Sequence, residues 1–315
     1  MFPKDLGNIC VFYALSPLHA GSGQAIGAVD LPIQRERHTG WPHVQASGVK
    51  GAFRDWFYRY YLANGAKCPD KDVQAEQLTE KIFGRAESGE ESGGQAGAIS
   101  VSDARLLAFP VRSNVAPFVW VTCPGILTRL NRDLKLCLIK NGGNNISLEL
   151  KDKYPKDANG YITLAGNIDG NVVLEDLAVS PEPASGDYIK ELQGLFANMA
   201  PQIDKLLLIS DQNFNFLVQT ATEIQPQIRI DIETGTAQDG SLRYQELLPS
   251  DSVLYSLVFF AKERIAEGGK ASEVIRGLVI DAVSTHIQMG GDMTLGRGLM
   301  EVRWLPHNSN TGGAQ

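Results

Sequence analysis

Cysteine is scarce in this 315-residue sequence, and the four that occur, Cys10, Cys68, Cys123 and Cys137, form no Cys-x-x-Cys pair. This pattern argues against a structural zinc site or a disulfide framework and fits a reducing compartment. Long apolar runs are also missing, since none reaches the roughly 18 residues that span a bilayer. The first residues show no basic stretch followed by an apolar one, so we expect no signal peptide. We therefore expect a cytoplasmic protein with no membrane partner.

An excess of positive charge is missing as well. The 36 aspartates and glutamates outnumber the 29 lysines and arginines, and the net charge is −7. Overall acidity argues against a nucleic-acid partner, but phosphate binding depends on the local potential. Residues 30–61 contain five lysines and arginines against three carboxylates. The acidity thus weakens an RNA-binding hypothesis without excluding it.

Hydrophobic periodicity predicts alternating strands and helices along the chain. It indicates strands at 8–16, 98–111, 252–262 and after 298, and a helix at 47–64 with Ser47 as N-cap. It also indicates a strand and a helix beginning at Pro124 within 118–138, short strands of an inserted subdomain at 166–183, two helices within 187–221, a long hairpin at 226–248 and a helix at 271–288.

The well-patterned elements follow the order strand, helix, strand, a long insertion, then strand, helix, strand. This order predicts an α+β fold, a ferredoxin-like βαββαβ sandwich with a large insertion between its halves. We expect one domain over residues 1–305, with a core formed by about 8–110 and 250–305 and an insertion at about 111–249. The tail at 306–315 is expected to be disordered.

Two basic residues lie four apart on the predicted first helix. Lys50 and Arg54 share one face beside an aromatic stripe. Lys50 lies in the first turn, where free N–H groups and the helix dipole favour an anion. This spacing is consistent with a phosphate clamp. The pattern alone slightly favours the alternative, a solvated face with an Asp55–Arg59 pair.

A Gly-rich segment, GGDMTLGRG at residues 290–298, follows a helix and leads into a strand. Walker and dinucleotide loops have the opposite order, which disfavours a Rossmann-type nucleotide-binding enzyme. Its four glycines, Gly290, Gly291, Gly296 and Gly298, with Thr294 and Arg297, could still let backbone amides approach a phosphate chain closely. The alternative is a tight turn with a glycine C-cap, which accounts for the first two glycines only.

A long Gly-rich loop of mixed charge lies at residues 19–44, where Asp30 is accompanied by His19, His38 and His43. One carboxylate cannot enclose Mg²⁺, but this ion often combines one or two carboxylates with phosphate oxygens and water. A histidine pair could instead cleave RNA without metal, with the 2′-hydroxyl as nucleophile. The spacing alone slightly favours a third interpretation, in which Asp30 caps a turn and the histidines are incidental.

The predicted hairpin at 226–248 alternates isoleucines with charged residues. Ile228, Ile230 and Ile232 would form an apolar edge. Such an edge could wedge between bases, or the hairpin could simply extend a sheet.

Together and in this order, these segments resemble the repeated backbone subunits of type III-B CRISPR effectors, the Cmr complexes, which are members of the RAMP superfamily. The resemblance rests on LSPLHAGSGQAIGAVDLPIQRERHTGWPHV, ASGVKGAFRD, SVSDARLLAFPVRS, RIDIETGTAQDGSLRYQELLP and MGGDMTLGRGLMEV. It extends from about residue 13 to 304, and the VDLPIQRERHTGWP run and the terminal Gly-rich loop are its most specific parts. Residues 140–190 match no motif of the family.

The resemblance implies a ferredoxin-like (RRM-like) palm, a thumb hairpin and helical fingers. Copies of such subunits stack head to tail along a CRISPR guide RNA. The thumb displaces a nucleotide of the guide–target duplex at regular intervals, and the acidic loop cuts the target RNA beside it. By resemblance, Asp30 is the catalytic residue and a possible ligand of a divalent metal, Mg²⁺ or Mn²⁺.

The resemblance also assigns the other site residues. The implied RNA-binding residues are His19, Ser47, Lys50, Arg54, Gly290, Gly291, Thr294 and Arg297, and the implied thumb residues are Ile228, Ile230, Ile232, Leu242 and Tyr244. The implied partners are guide RNA, complementary target RNA, further copies of the chain, and the small, polymerase-like large and other RAMP subunits.

Three questions stay open at the level of sequence. Asp30 could bind a metal ion, orient the 2′-hydroxyl, or do both. RAMP relatives that process guide precursors without metal share the palm, so a processing nuclease using His19 or His38 is an alternative. A scaffold that binds RNA without cutting it is a third possibility.

Overall fold

The computed structural model describes residues 6–25, 27–65, 74–85, 94–137, 140–141, 144–145, 155–183, 188–264 and 268–305. It is a mixed α+β structure whose main body is a twelve-stranded sheet, which confirms the predicted class. No helix in these ranges is long and apolar enough to cross a membrane.

The helices of the described ranges are α1 (Ala46–Ala63), α2 (Ala75–Phe83), α3 (Pro124–Leu136), α4 (Tyr188–Met199), α5 (Asp211–Thr220) and α6 (Ser272–Ala282). The strands are β1 (Leu6–Ala14), β2 (His43–Val44), β3 (Gly84–Arg85), β4 (Gln95–Ala96), β5 (Ile99–Val101), β6 (Ala104–Arg112), β7 (Phe118–Thr122), β8 (Lys140–Asn141), β9 (Asn144–Asn145), β10 (Gly160–Ala165), β11 (Val172–Leu174), β12 (Leu177–Pro181), β13 (Leu206–Ile209), β14 (Glu223–Gln227), β15 (Arg243–Leu247), β16 (Val253–Phe260), β17 (His286–Gln288) and β18 (Leu299–Trp304).

Four antiparallel strands in the order β18, β1, β16, β6 form the centre of the main sheet. Helices α1 and α6 contact each other and pack on these strands. The ring of Phe53 from α1 lies 6.0 Å from those of Phe12 and Trp304. Truncating a buried phenylalanine of this kind costs about 3–5 kcal/mol, so this aromatic contact fixes α1 on the sheet.

Helix α1 is amphipathic, as predicted, and buries Val49, Phe53, Phe57 and Tyr61 at intervals of four residues. The prediction of Ser47 as its N-cap is wrong, because the cap position is Gln45, whose side chain makes no capping hydrogen bond. Oδ1 of Asp103, in the turn between β5 and β6, accepts from the N–H of Ala46 at 2.7 Å. A carboxylate distant in sequence therefore caps this helix, which local patterning could not reveal.

The predicted strand at 98–111 is two strands, β5 and β6, separated at Ser102 and Asp103. The hydroxyl of Ser102 accepts from the N–H of Leu257 at 2.9 Å. This side chain competes with the regular ladder and interrupts it. The interruption places Asp103 beneath the start of α1.

The short strands predicted within 166–183 exist, but they do not form a separate subdomain. Strands β10, β11 and β12 join the main sheet through β13, which pairs with β7 in parallel. Strand β13, the wholly buried LLLI at 206–209, separates the two helices predicted within 187–221. Similarly, the helix predicted at 271–288 ends at Ala282 and is followed by β17. Short apolar runs of this length do not distinguish strand from helix.

The hairpin predicted at 226–248 is shorter than expected. Its ladder pairs β14 with β15 from Glu223 and Leu247 to Gln227 and Arg243, and residues 228–242 form a loop with one isolated bridge, Ile230 to Ala237. Within this loop, Oδ1 of Asp231 accepts from the N–H groups of Glu233 and Thr234. That turn replaces ladder pairing, so the prediction of a continuous hairpin is wrong.

One predicted feature lies outside the described ranges, namely the tail at residues 306–315 that is predicted to be disordered. The domain boundaries expected from the sequence stay a prediction.

Candidate nucleic-acid interface

The outer edge of β15 positions Asp30. The carboxylate Oδ2 of Asp30 accepts from the N–H of Tyr244 at 2.7 Å, while the carbonyl of Tyr244 accepts from the N–H groups of Asp30 and Leu31, both at 3.1 Å. The N–H of Glu246 then donates to the carbonyl of Leu31 at 3.0 Å. The loop thus runs along β15 as a short additional strand.

His19 is held on the same edge, two residues further along β15. Its Nδ1 lies 2.9 Å from the carbonyl oxygen of Glu246. Because a carbonyl only accepts, Nδ1 carries the proton, and Nε2 remains for another partner. Residues two apart on a strand are separated by about 7 Å, so the anchor points of Asp30 and His19 are about that far apart.

The Gly-rich loop at 290–298 packs directly on the first loop. The N–H of Gly291 donates to the carbonyl of His19 and that of Gly298 to the carbonyl of Pro17, both at 2.9 Å. Gly290 has φ +77°, and a Cβ there would lie 2.6 Å from the oxygen of His19. Only glycine allows this approach. The structure therefore brings three predicted segments together at β15.

Asp30 is exposed, and only Oδ2 has a hydrogen-bond donor among the described residues. In the same residues, no three His, Cys, Asp or Glu side chains form a cluster that could hold a metal ion. A divalent ion at Asp30 would therefore need further ligands from outside the protein, such as RNA phosphate oxygens and water. One carboxylate with substrate oxygens is a donor set that Mg²⁺ accepts.

A buried ion pair fastens the loop on the other side of Asp30. The side chain of Glu246 is 8% exposed and lies 2.5 Å from the guanidinium of Arg35. It also accepts from the N–H of Ile33 at 3.0 Å and from the hydroxyl of Thr222 at 2.9 Å. Arg35 in turn donates to the carbonyls of Gly40 and Val218. The sequence analysis did not identify this pair. The one feature of the sequence that pointed to it is the acidic Glu246 beside buried positions of β15.

Arg297, a predicted RNA contact, has its guanidinium bound within the protein. It donates to Gln245 at 2.6 Å, to Asp292 at 3.0 Å and to Gln225 at 2.8 Å, and its side chain is 11% exposed. The residue thus ties the Gly-rich loop to β14 and β15. Its neighbours Gly290, Gly291 and Thr294 are exposed and available to a ligand.

The loop at residues 228–242 and the adjoining Tyr244 expose the apolar side chains that the sequence identified. Ile232 is 98% exposed, and Ile228, Ile230, Leu242 and Tyr244 are between 40% and 55% exposed. A groove of about 810 Å³ separates this loop from the Gly-rich loop, with Leu295 and Arg297 on its far side. Exposed apolar side chains beside a groove can stack against bases.

The basic residues of α1 lie apart from the edge of β15. Among the described residues, no hydrogen bond or ion pair links them to that edge. Burial lowers the pKa of Lys50, and the charge of Arg54 lowers it further. Arg54 donates to the carbonyl of Gly84. Ser47 is exposed in the first turn. These side chains form a separate basic surface.

The remaining loop histidines differ from each other. His38 is 74% exposed, with Nε2 3.8 Å from a carboxylate oxygen of Glu36. Both ring nitrogens of His43 are buried and have no hydrogen-bond partner. No hydrogen bond of the described residues joins either ring to His19.

Comparisons with known proteins agree on one family. The family model of the RAMP superfamily matches residues 11–301. The CRISPR system Cmr endoribonuclease Cmr4 of Pyrococcus furiosus is 37% identical over 307 residues, which cover 96% of each chain. The CRISPR system CMR subunit Cmr4 of Saccharolobus solfataricus is 23% identical over 93% of this chain and 94% of the relative.

Solved structures match over nearly the full length. The crystal structure of oligomeric Cmr4 from Pyrococcus furiosus superposes with a TM-score of 0.66 at 27% identity, covering 96% of this chain and 99% of the other. A chain of the type III-B Cmr-beta complex bound to cognate target RNA, seen by cryo-electron microscopy, gives a TM-score of 0.70 at 22% identity, with 96% and 99% coverage. This match to the Cmr-beta chain shows that the two chains share a fold.

Proposed function

This chain belongs to the RAMP superfamily, and from its full-length similarity to a Cmr endoribonuclease we infer that it is the repeated backbone subunit of a type III-B CRISPR effector. It binds guide RNA, assembles with further copies of itself and with the other effector subunits, and cleaves complementary target RNA in antiviral defence. The 37% identity over 96% of both chains is the observation on which this inference rests.

The sheet order supports the ferredoxin-like palm. In chain order, the four palm strands are β1, β6, β16 and β18. Across the sheet they follow the order β18, β1, β16, β6, that is, fourth, first, third and second, and all neighbours are antiparallel. Helices α1 and α6 lie where the two crossover helices of βαββαβ belong. We assign the thumb to β14, β15 and the loop between them, and the fingers to the insertion.

We assign guide-RNA binding to α1 and the Gly-rich loop, and target cleavage to Asp30. Ser47 and Lys50 lie in the first turns of α1, where the helix dipole favours phosphate, and Arg54 lies one turn beyond. Gly290 and Gly291 are exposed beside His19, whose carbonyl accepts from the N–H of Gly291. The exposed thumb isoleucines would separate base pairs next to Asp30.

The chemistry follows from the position of Asp30. Its free Oδ1 can accept the proton of a ribose 2′-hydroxyl and orient that oxygen toward the adjacent phosphorus. The 2′-oxygen–phosphorus bond forms, the phosphorus–5′-oxygen bond breaks, and the 5′-oxygen takes up a proton. A bound divalent ion, Mg²⁺ or Mn²⁺, would supply charge stabilisation to the phosphate oxygens. Asp30 and RNA oxygens would hold it.

A cleavage gel tests the function. The chain is assembled on a repeat-derived guide RNA, a complementary RNA is added, both strands are labelled, and Mg²⁺ is compared with EDTA. Evenly spaced cuts in the complementary strand, lost in EDTA, are expected. Cuts that persist in EDTA would remove the metal from the mechanism, and cuts in the guide strand would favour a processing enzyme that uses His19. A bound but intact duplex would favour a scaffold.

A further inference from the structure

A second cleft, distinct from the groove beside the thumb, opens next to the start of α1. It has a volume of about 380 Å³ and is lined by Glu36, Arg37, His38, His43, Asp103, Arg105, Arg129 and Arg132. Four of these eight residues are arginines. None of them is used by the cleavage mechanism above.

Two of the three carboxylates in and behind the cleft are paired with arginines. Glu36 lies 2.6 Å from Arg129. Asp133, which is buried behind the cleft, lies 2.8 Å from Arg105 and 3.0 Å from Arg132. Four arginines therefore face three carboxylates, counting Asp103, and an excess of positive charge remains.

Two of the arginines, Arg105 and Arg129, are held in place by their contacts. The guanidinium of Arg129 lies over the ring of Trp41, with 5.1 Å to its centroid. Arg105 is 23% and Arg129 17% exposed, so packing and ion pairs hold both. Each guanidinium has five N–H donors, of which an ion pair uses one or two. Unused donors therefore remain on two side chains that line the cleft.

Arg37 completes the cleft at its rim. It is exposed, and none of the described residues accepts a hydrogen bond from it or forms an ion pair with it. Arg132, on the other side, is 66% exposed. The guanidinium of Arg37, which has no partner among the described residues, thus lies where a ligand would first make contact.

We propose that this cleft binds a phosphodiester of the RNA on which the chain assembles. The proposal rests on the RNA-binding function inferred above and adds a site to it. Arginine forks match the planar pairs of phosphate oxygens better than lysine does. A volume of about 380 Å³ accommodates a phosphate together with its ribose.

The position of the cleft favours RNA over an acidic protein surface. Asp103 lines the cleft and also caps the first residue of α1, Ala46, at 2.7 Å. Lys50 lies one turn further along the same helix. The cleft therefore continues the basic surface assigned to guide RNA, and one polynucleotide can contact both.

Salt-dependent binding tests the site. Arg37→Ala and the double variant Arg37→Ala/Arg132→Ala are compared with Arg112→Ala, whose side chain is 72% exposed and pairs with Glu175 outside the cleft. Fluorescence anisotropy measures the affinity for guide RNA from low to high salt. A second arm measures the binding of target RNA to the assembled guide complex. Thermal melting verifies that each variant folds.

The double variant is expected to bind more weakly in one of the two arms, and that arm identifies the strand. Its slope of log affinity against log salt should fall by about 0.7 for each lost phosphate contact, and Arg112→Ala should match the wild type. Slopes equal to wild type in both arms would overturn the site. So would a loss confined to self-association without RNA, which would indicate an acidic protein partner.

Cleavage of target RNA by the wild-type complex, measured in the same preparations, separates the two inferences. Cutting by the wild type together with unchanged slopes in the variants refutes the cleft and leaves the backbone nuclease intact. Absence of cutting by the wild type argues against the nuclease, whatever the slopes.

Discussion

The carboxylate of Asp30 accepts a hydrogen bond from the backbone N–H of Tyr244, with 2.7 Å between Oδ2 and the nitrogen. Tyr244 lies in β15, which we assign to the thumb, so this bond connects the loop proposed to cleave RNA with the element proposed to separate bases. One carboxylate oxygen is used for placement and the other is free for chemistry. Movement of the thumb base would move Asp30 with it.

Two substitutions of Asp30 distinguish its role in positioning the loop from its proposed role in RNA cleavage. In Asp30→Asn the amide oxygen can still accept from Tyr244, so the loop keeps its position, but the charge is lost. We expect cleavage to fall about 10²- to 10⁴-fold while guide and target binding stay within about twofold, measured by single-turnover cleavage and anisotropy. Asp30→Ala should abolish cleavage too. Full activity in Asp30→Asn, or loss of RNA binding in both variants, would contradict the catalytic assignment.

The Arg35–Glu246 pair should be a main source of loop stability. Removing one partner leaves the other charge buried and unpaired, which costs about 3–5 kcal/mol. We therefore expect Arg35→Ala to lower the free energy of unfolding by that amount, measured with urea, and to reduce cleavage because the loop between Asp30 and β15 loosens. Glu246→Gln should behave similarly.

The exposed Arg59–Asp55 pair, at 2.8 Å, is the matched control for this experiment. Arg59→Ala should not change stability measurably, because exposed ion pairs contribute little. Equal stabilities of Arg35→Ala and Arg59→Ala would show that the buried pair does not hold the loop.

Much of the fold could be predicted because its signals are local. The burial of Phe53 and Phe57 on one face of α1 follows from helical spacing, and Pro124 marks the start of α3. The predictions were wrong where contacts between residues distant in sequence determine the structure. Asp103 caps α1 from the turn between β5 and β6, and β13 is too short for periodicity to identify.

The candidate site was predicted by resemblance more than by chemistry. Asp30 and the Gly-rich loop were named in advance, yet spacing alone favoured a turn cap at Asp30. Glu246 and Arg35 were not found, because their pairing joins residues 211 positions apart. The arginine cleft was missed for the same reason, since its residues come from three separate segments.

Two glycines of the Gly-rich loop provide a matched pair. Gly296 and Gly298 both have φ +72°, but a Cβ at 296 would meet no atom within 4 Å, whereas one at 298 would lie 1.9 Å from the carbonyl oxygen of Met289. Gly296→Ala should lower the free energy of unfolding by about 1–2 kcal/mol, because alanine is strained in the left-handed backbone conformation. Gly298→Ala should cost more and should also lower cleavage, because its N–H holds Pro17 near the active loop.

Urea unfolding and single-turnover cleavage check this comparison. If the two variants lose equal stability, the close approach at Gly298 is relieved by a backbone shift. The loop would then be more adaptable than the structure indicates.

The pH dependence of stability should identify Glu36. Burial alone would raise the pKa of its carboxyl, but hydrogen bonds from Thr39 and Arg129 outweigh burial and lower it. A folded-state pKa below the unfolded value of about 4.3 makes the charged form stabilising. This contribution is complete above the unfolded pKa and disappears as pH falls through the folded pKa. Glu36→Gln should therefore lower the free energy of unfolding by about 1–3 kcal/mol at pH 7.

The difference between Glu36→Gln and the wild type should be constant from pH 7 to about 5 and should shrink below about pH 4, because the wild-type carboxyl becomes protonated only there. Urea unfolding at pH 7, 5, 4 and 3 measures the trend. Glu301→Gln, which removes a surface ion pair with 3.9 Å to Arg303, is the control and should differ from wild type by less than about 0.5 kcal/mol at each pH. A difference for Glu36→Gln that stays constant down to pH 3 would mean that its ionised form is not what stabilises the loop against α3.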